Sequence, residues 1–452
     1  VKQETSSSQV GQAVNRCDVL VIGGGPAGST ISTLLARKGW KVALLEKEHH
    51  PRFHIGESLL PLNMPIFERL GVRQDVERIG MLKRGAEFVS GDGKPVQFYF
   101  REAVRPDFPI AYQVKRAELD EVLLRNSAAS GTDVREGVRV TDVQFTADSA
   151  EVRASDEHGN EQRWSARFVV DASGRDAFFA NQLKTKRRNR RHNSAALFSH
   201  FDGAERRPGE DEGLISVYWF DHGWFWMIPF RDGSMSVGAV CWTYYLQSRT
   251  KSVDEFFRDT IAMCPGVARR LKDARMTMPA LATGNYSYEA GCIGGERFLL
   301  IGDAYAFIDP VFSSGVFLAM NSAEISVELV ERALNEGRLS QAVLRRHERG
   351  MRHGISVFSW FIYRITTPVM RRMFLKPSDK YRMKAAVLSL LAADLYRGTP
   401  IRRPLFMFKF FYYCFSVMHL RESFASWRQR RRAWHSLLGF VWKTGKQSLA
   451  SK

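Results

Sequence analysis

The chain has 452 residues, 44% hydrophobic and 12% aromatic, enough to bury a large core in one elaborated domain or two and unlike a disordered composition. Its five cysteines, Cys17, Cys241, Cys264, Cys292 and Cys414, show no C-x-x-C spacing, which argues against a disulfide framework or a metal site and points to a reducing cytoplasm. The formal net charge of +18 suits nucleic acid, an anionic membrane surface, an acidic protein or an anionic cofactor, and alone selects none of them.

Residues 1–16 are polar, rich in Ser and Gln, and lack the apolar stretch of a secretory signal; a disordered tail is expected. Residues 18–23 (DVLVIG) predict a buried strand, 29–38 a helix and 41–45 (KVALL) a second strand, together one βαβ unit. Further on, 116–129 reads as a helix, 138–152 alternates as strands do, and 167–172 and 297–302 are short apolar runs of the central parallel type. The aromatic, alternating stretch 214–242 predicts a largely antiparallel sheet, and 322–336 a long helix. From about Arg345 the chain turns helical, basic and aromatic. The division expected is a tail over 1–16, a core over 17–340 and a helical basic region over 341–452.

Two basic runs stand out, 184–191 and 421–452, the latter with eight Lys or Arg against Glu422 alone. The most apolar segment, 405–420, contains Lys409 and falls short of the roughly 18 to 20 residues that span a bilayer. A core helix is the favoured reading, with a basic tail able to receive an acidic carrier protein; an interfacial helix at the inner membrane face is the alternative.

Gly23, Gly25 and Gly28 form G-x-G-x-x-G between a strand and a helix, where the motif's mechanism requires it. The first glycine allows the tight turn, the second lets backbone approach a pyrophosphate and the third lets helix and strand pack closely. Ala27 lies inside this loop. Glu46, followed by Lys47, ends the next strand, placed for the ribose hydroxyls of an adenosine.

Residues 301–304 (IGDA), with Asp303, resemble the second FAD fingerprint of hydroxylase-like flavoproteins, and 112–116 with Arg116, Leu119 and Asp120 resemble another element of that group. The resemblance implies FAD and an α/β, glutathione-reductase-like, hydroxylase-related fold with an interleaved antiparallel sheet. Hydroxylases that use NAD(P)H carry a D-G pair where this chain has Asp171-Ala172-Ser173-Gly174-Arg175, and no second glycine-rich unit is present. A separate flavin reductase is therefore expected to deliver FADH2.

Trp224 and Trp226 form W-x-W-x-I-P over 224–229, 307–315 reads F-x-x-P-x-x-S-x-G, and 51–58 (PRFHIGES) supplies a third match. Together they resemble the flavin-dependent halogenases. The resemblance implies that the two indoles shield the flavin from the organic substrate, that Ser313, Ser314 and Gly315 hold chloride or bromide, and that Pro310, Arg52, Ile55 and Ser58 lie against the FAD. Lys83 occupies the place of the family's catalytic lysine, with Arg84 the rival for register. Phe312 stands where tryptophan halogenases carry a glutamate, which favours phenols, pyrroles or carrier-bound aromatics over free tryptophan. Nucleic acid is not an expected partner. The alternatives are a two-component flavin monooxygenase, an FAD-dependent reductase of the geranylgeranyl type, and an interaction protein at a membrane surface.

Overall fold

The computed structural model describes residues 14–90, 93–189, 192, 194–284, 287–394 and 397–435. Its first sheet is built around strand Val14–Ile22, which runs parallel to Glu161–Asp171 on one side and Val42–Leu45 on the other. Val19, Leu20 and Val21 are wholly buried, as expected for a strand covered on both faces. Phe298–Leu300 and Asp133–Arg135 extend the parallel core outward. The register aligns Ile22 with Asp171 and with Leu45, and Asp171 with Leu300. The carboxyl ends of four strands thus open at one level, and Gly23, Glu46, Ala172 and Ile301 are the first residues beyond them. In open α/β sheets that edge is where ligands bind.

Helix Pro26–Ala36 follows the glycine turn, beginning three residues before the sequence expectation because Pro26 is pre-set for a first helical position. The predicted helix over 322–336 is longer, Ser314–Glu336, starting where Ser313 takes a left-handed φ of 55° and ending at Gly337. The alternating stretch 138–152 is a hairpin of Arg139–Phe145 with Ala150–Ser155. Residues 14–16, expected in the tail, open the first strand; residues 1–13, Arg190 and Arg191 of the first basic run, and 436–452 of the second lie outside the described residues.

The second sheet contains Ile215–Phe220, Gly223–Pro229 and Met235–Trp242, the antiparallel strands expected over 214–242, flanked by Ser194–Asp202 and Gly85–Val89. Among the described residues of this sheet, only the edge between Ile215–Phe220 and Gly85–Val89 is parallel. Side chains alternate across Gly223–Pro229: Trp224, Trp226 and Ile228 join the core that faces the first sheet, while Phe225 and Met227 join a separate core behind.

The C-terminal region is helical as predicted, with Gln341–Ile362, Pro368–Leu375, Met383–Leu391, Arg402–Met418 and Leu420–His435. Phe358, Phe361, Met370 and Phe374 pack into the same core as Trp224 and Trp226. Helix Arg402–Met418 buries Leu405, Phe408 and Tyr412, half-buries Met407 and Phe411 against the same core, and leaves Phe406, Phe410, Tyr413, Phe415, Val417 and Met418 exposed, so the expected core helix packs by one face. Among the described residues no helix is long and apolar enough to cross a membrane, and no cluster has the make-up of a metal site.

Candidate active site

A cavity of about 980 Å³ runs from the glycine turn, past the carboxyl ends of the parallel strands, to the inner face of the second sheet. At one end the glycines are closely packed. A Cβ on Gly28 would stand 1.9 Å from the Gly23 carbonyl oxygen, and one on Gly23, at φ +102°, would stand 2.6 Å from that of Ala172. A Cβ on Gly25 would meet only Arg52, at 3.8 Å, so bare backbone faces the cavity there. This cradle fits a pyrophosphate.

Glu46 is buried on the wall beside it, its two carboxylate oxygens accepting the amides of Gly24 at 2.6 Å and Glu48 at 2.9 Å. The glycine turn and the acidic residue therefore stabilise each other. Lys47 reaches Asp176 at 2.5 Å. Arg52 lies between Glu48, at 3.2 Å, and Asp120, at 3.4 Å.

Arg116 makes a buried bidentate pair with Asp120, 2.8 Å at each contact, one helical turn along Arg116–Ala129, and donates its remaining amine to the Ile55 carbonyl at 2.9 Å. Burial pushes the Asp120 carboxyl up, but the Arg116 guanidinium outweighs it and holds the group below its usual range. Asp303 also lines the cavity; burial pushes it up to about 6, against the pull of Arg175 and Arg116.

The far end is apolar. Trp224 and Trp226 share one strand face with ring centroids 6.0 Å apart, and Ala196, Phe198, Ile215 and Ile228 complete the wall. Trp226 donates to Ser236 Oγ at 3.1 Å and lies against Gly238, where a Cβ would come within 2.1 Å of the indole. Between the two ends, Pro310, Ser313 and Gly315 line the cavity at the start of Ser314–Glu336. That helix has no side-chain cap and no acid in its first turn, so its amino-terminal dipole is open to an anion. Asp309 pins the loop before it, accepting the Val311 amide at 2.9 Å and contacting His192 Nε2 at 2.6 Å.

Gly28, Ser314 and Lys83, each given a site role from the sequence, stand off the cavity surface. Gly28 is packed behind its turn, Ser314 is buried in the first helical turn, and Lys83 is enclosed one layer back. Lys83 Nζ donates to Ser58 Oγ at 2.9 Å and to the Leu59 carbonyl at 2.8 Å, and lies 5.4 Å from the centre of the Phe100 ring. Burial alone lowers its pKa to about 7. Two donated bonds use both hydrogens of a neutral amine and leave its lone pair. Arg84, one position on, lies in the break between Met81–Lys83 and Gly85–Val89 and does not line the cavity.

Other cavity residues had no assigned place in the sequence reading. Glu57 is buried and contacts His200 Nε2 at 2.7 Å, with its second oxygen unpartnered among the described residues; it lies inside the quoted 51–58 run, so a signal for it was present. Arg175 was visible in the departure from the D-G pair. Phe198 carried no local signal, since strand pairing brings it to the wall, and neither did His192, which lies off the cavity and meets its loop through Asp309.

Residues 16–351 match the FAD binding domain family. The chain is 31% identical to the 1H-pyrrole-2-carbonyl-[peptidyl-carrier protein] chlorinase of Pseudomonas fluorescens, over 84% of this chain and 90% of that protein.

The chain belongs to the flavin-dependent halogenase family.

It is also 37% identical to the tryptophan 2-halogenase of Chondromyces crocatus, over 69% of this chain and 60% of that longer protein. The solved structure of the myxobacterial chondrochloren halogenase superposes with a TM-score of 0.73 at 35% identity, covering 77% of this chain and 82% of that one. This halogenase is thus an FAD-binding oxidoreductase whose relatives act on different substrates.

Proposed function

We propose that this halogenase uses FADH2 delivered by a separate flavin reductase, together with O2 and chloride or bromide, to make hypohalous acid and halogenate an electron-rich aromatic that is free or carrier-bound. Bound as the reduced form, FAD supplies with O2 the oxidising equivalents that the halide requires. In this reading Gly23, Gly25, Ala27 and Gly28, with Glu46 and Lys47, take the adenosine diphosphate portion. Arg52, Ile55, Ser58, Arg116, Asp303, Pro310 and Gly315 flank the remainder. The amides at Ser313, Ser314 and Gly315 hold the halide, where the helix dipole favours negative charge. Trp224 and Trp226 keep that end of the cavity dry and keep the aromatic substrate from the flavin.

Lys83 directs the halogen. Its support is the observation that carries the whole proposal: a buried amine with no carboxylate partner among the described residues, its pKa lowered to about 7, joined to the cavity wall through Ser58. Ser58 is thus the gate residue between cavity and amine. Phe312 is buried and apolar, so no carboxylate from that position assists, which favours rings reactive enough to be halogenated without one. The Pseudomonas relative, named for a pyrrolyl carrier-protein substrate and aligned along most of both chains, supports the carrier-bound form.

The test supplies reduced FAD through any flavin reductase, adds chloride or bromide, and screens phenols, pyrroles and their carrier-protein thioesters for halogen mass shifts. Halide-dependent product is expected. Oxygenated product with no halide requirement would instead establish a monooxygenase.

A further inference from the structure

The last two described helices carry a face that the halogenation reading does not use. On Arg402–Met418, Phe406, Phe410, Tyr413 and Val417 are each at least 50% exposed and follow one another at helical spacing. On Leu420–His435 the stripe continues through Leu420, Phe424 and Trp427. Single exposed apolar side chains are ordinary, but a contiguous stripe over two consecutive helices marks an interaction surface.

Its surroundings are basic. The guanidinium of Arg428 lies 4.5 Å from the Phe424 ring centre and that of Arg431 5.1 Å from the Trp427 ring. Glu422, the one acid over 402–435, is neutralised by Arg372 at 2.7 Å. Beside the stripe is a second cavity of about 230 Å³, lined by Phe98, Phe374, Met383, Phe408, Phe411 and Phe415. Lys376, Lys380 and Lys384 also border it; Lys384 is paired with Glu102 at 2.6 Å, while Lys376 and Lys380 form no ion pair among the described residues.

We infer that this face docks the enzyme on an anionic lipid bilayer, with the aromatic stripe entering the headgroup region, the arginines meeting lipid phosphates, and the lysine-rimmed crevice accepting a lipid acyl chain. Two physical demands select the lipid. Aromatic side chains with cationic neighbours are the composition of an interfacial helix, whose apolar face sinks to the acyl boundary while its charges stay at the headgroups. An acidic protein would pair with the arginines, but the stripe offers it few of the hydrogen bonds that protein interfaces carry. The crevice likewise has the form to take a chain with an anionic head.

The test uses the full chain with FAD bound, sedimented with phosphatidylcholine vesicles or with vesicles containing phosphatidylglycerol, at low and moderate salt. Salt-sensitive binding to the anionic vesicles alone is expected. The triple change Phe406→Ser, Phe410→Ser and Leu420→Ser, and separately Arg428→Gln with Arg431→Gln, should each weaken it by about tenfold or more. Unchanged FAD absorbance would show that both variants fold. The proposal is overturned if the wild type ignores anionic vesicles, or if both variants bind as the wild type does. It is also overturned if the triple variant loses an acidic holo-carrier protein, or self-association measured by ultracentrifugation, while vesicle binding is absent throughout.

Discussion

Lys83 and Ser58 are joined by a 2.9 Å hydrogen bond across the boundary between the buried interior and the cavity, with Ser58 on the wall and Lys83 behind it. Residues far apart in the chain meet there because Met81–Lys83 pairs with Ala111–Gln113, and Gln113 bridges to Ser58. This contact links the amine to the cavity wall, and it sets the first prediction. Lys83→Met should lower halogenated product by about 10² or more while FAD affinity stays unchanged, because the replacement keeps the volume and removes the nitrogen. Product yield and FAD titration on the same preparation check it. Normal yield would return Lys83 to a structural role.

The same variant yields a stability prediction with a definite sign. With a folded-state pKa of about 7 and the usual lysine value of 10.5 when unfolded, Lys83 is charged in both states below pH 7 and pays the full burial penalty there. Between those values the unfolded chain binds more protons, so stability rises with pH, by up to about 1.4 kcal/mol per pH unit. Denaturation midpoints of the wild type should therefore gain on Lys83→Met as pH rises from 7 towards 10. A pH-independent difference would show that the amine is not desolvated.

Gly28→Ala should abolish FAD binding even though Gly28 does not line the cavity. The added methyl meets backbone, the Gly23 carbonyl oxygen at 1.9 Å, and backbone cannot rotate away as a flexible side chain would. Overpacking of this kind costs on the order of 1–3 kcal/mol and displaces the turn itself. Fluorescence titration with FAD is the check, and retained affinity would refute the close-packing role.

For the Arg116–Asp120 pair, Asp120→Leu should lower stability by about 3–5 kcal/mol, because it strands a buried guanidinium. Adding Arg116→Met should restore much of that loss, since an apolar pair of similar volume replaces the ions, yet FAD binding should remain weak because the bond to the Ile55 carbonyl is gone. Thermal melts and FAD titration of the single and double variants separate the two effects.

The purified chain should bind FAD and leave NADH and NADPH unconsumed until a flavin reductase is added. Asp171, standing at the place of the D-G pair, is engaged structurally: it is fully buried and accepts the Ser173 and Phe179 amides at 3.0 and 2.8 Å. Rapid nicotinamide oxidation by the chain alone would contradict this.

Local order in the chain was enough to reveal the dinucleotide turn, because the tasks of Gly23, Gly25 and Gly28 are met within one strand, one turn and one helix. The strand alternation that puts Trp224 and Trp226 on one face was legible for the same reason, as was the helical character of the C-terminal region. Contacts between distant segments were not. The Glu57–His200 and His192–Asp309 pairs depend on strand Ser194–Asp202 reaching loops far from it in sequence, and no local pattern encodes that approach. Nor could hydropathy along 405–420 distinguish a buried helix from a half-covered one. Which stripe is covered depends on where Pro368–Leu375 and Met383–Leu391 lie against it, and solvent exposure is a property of that packing rather than of the segment.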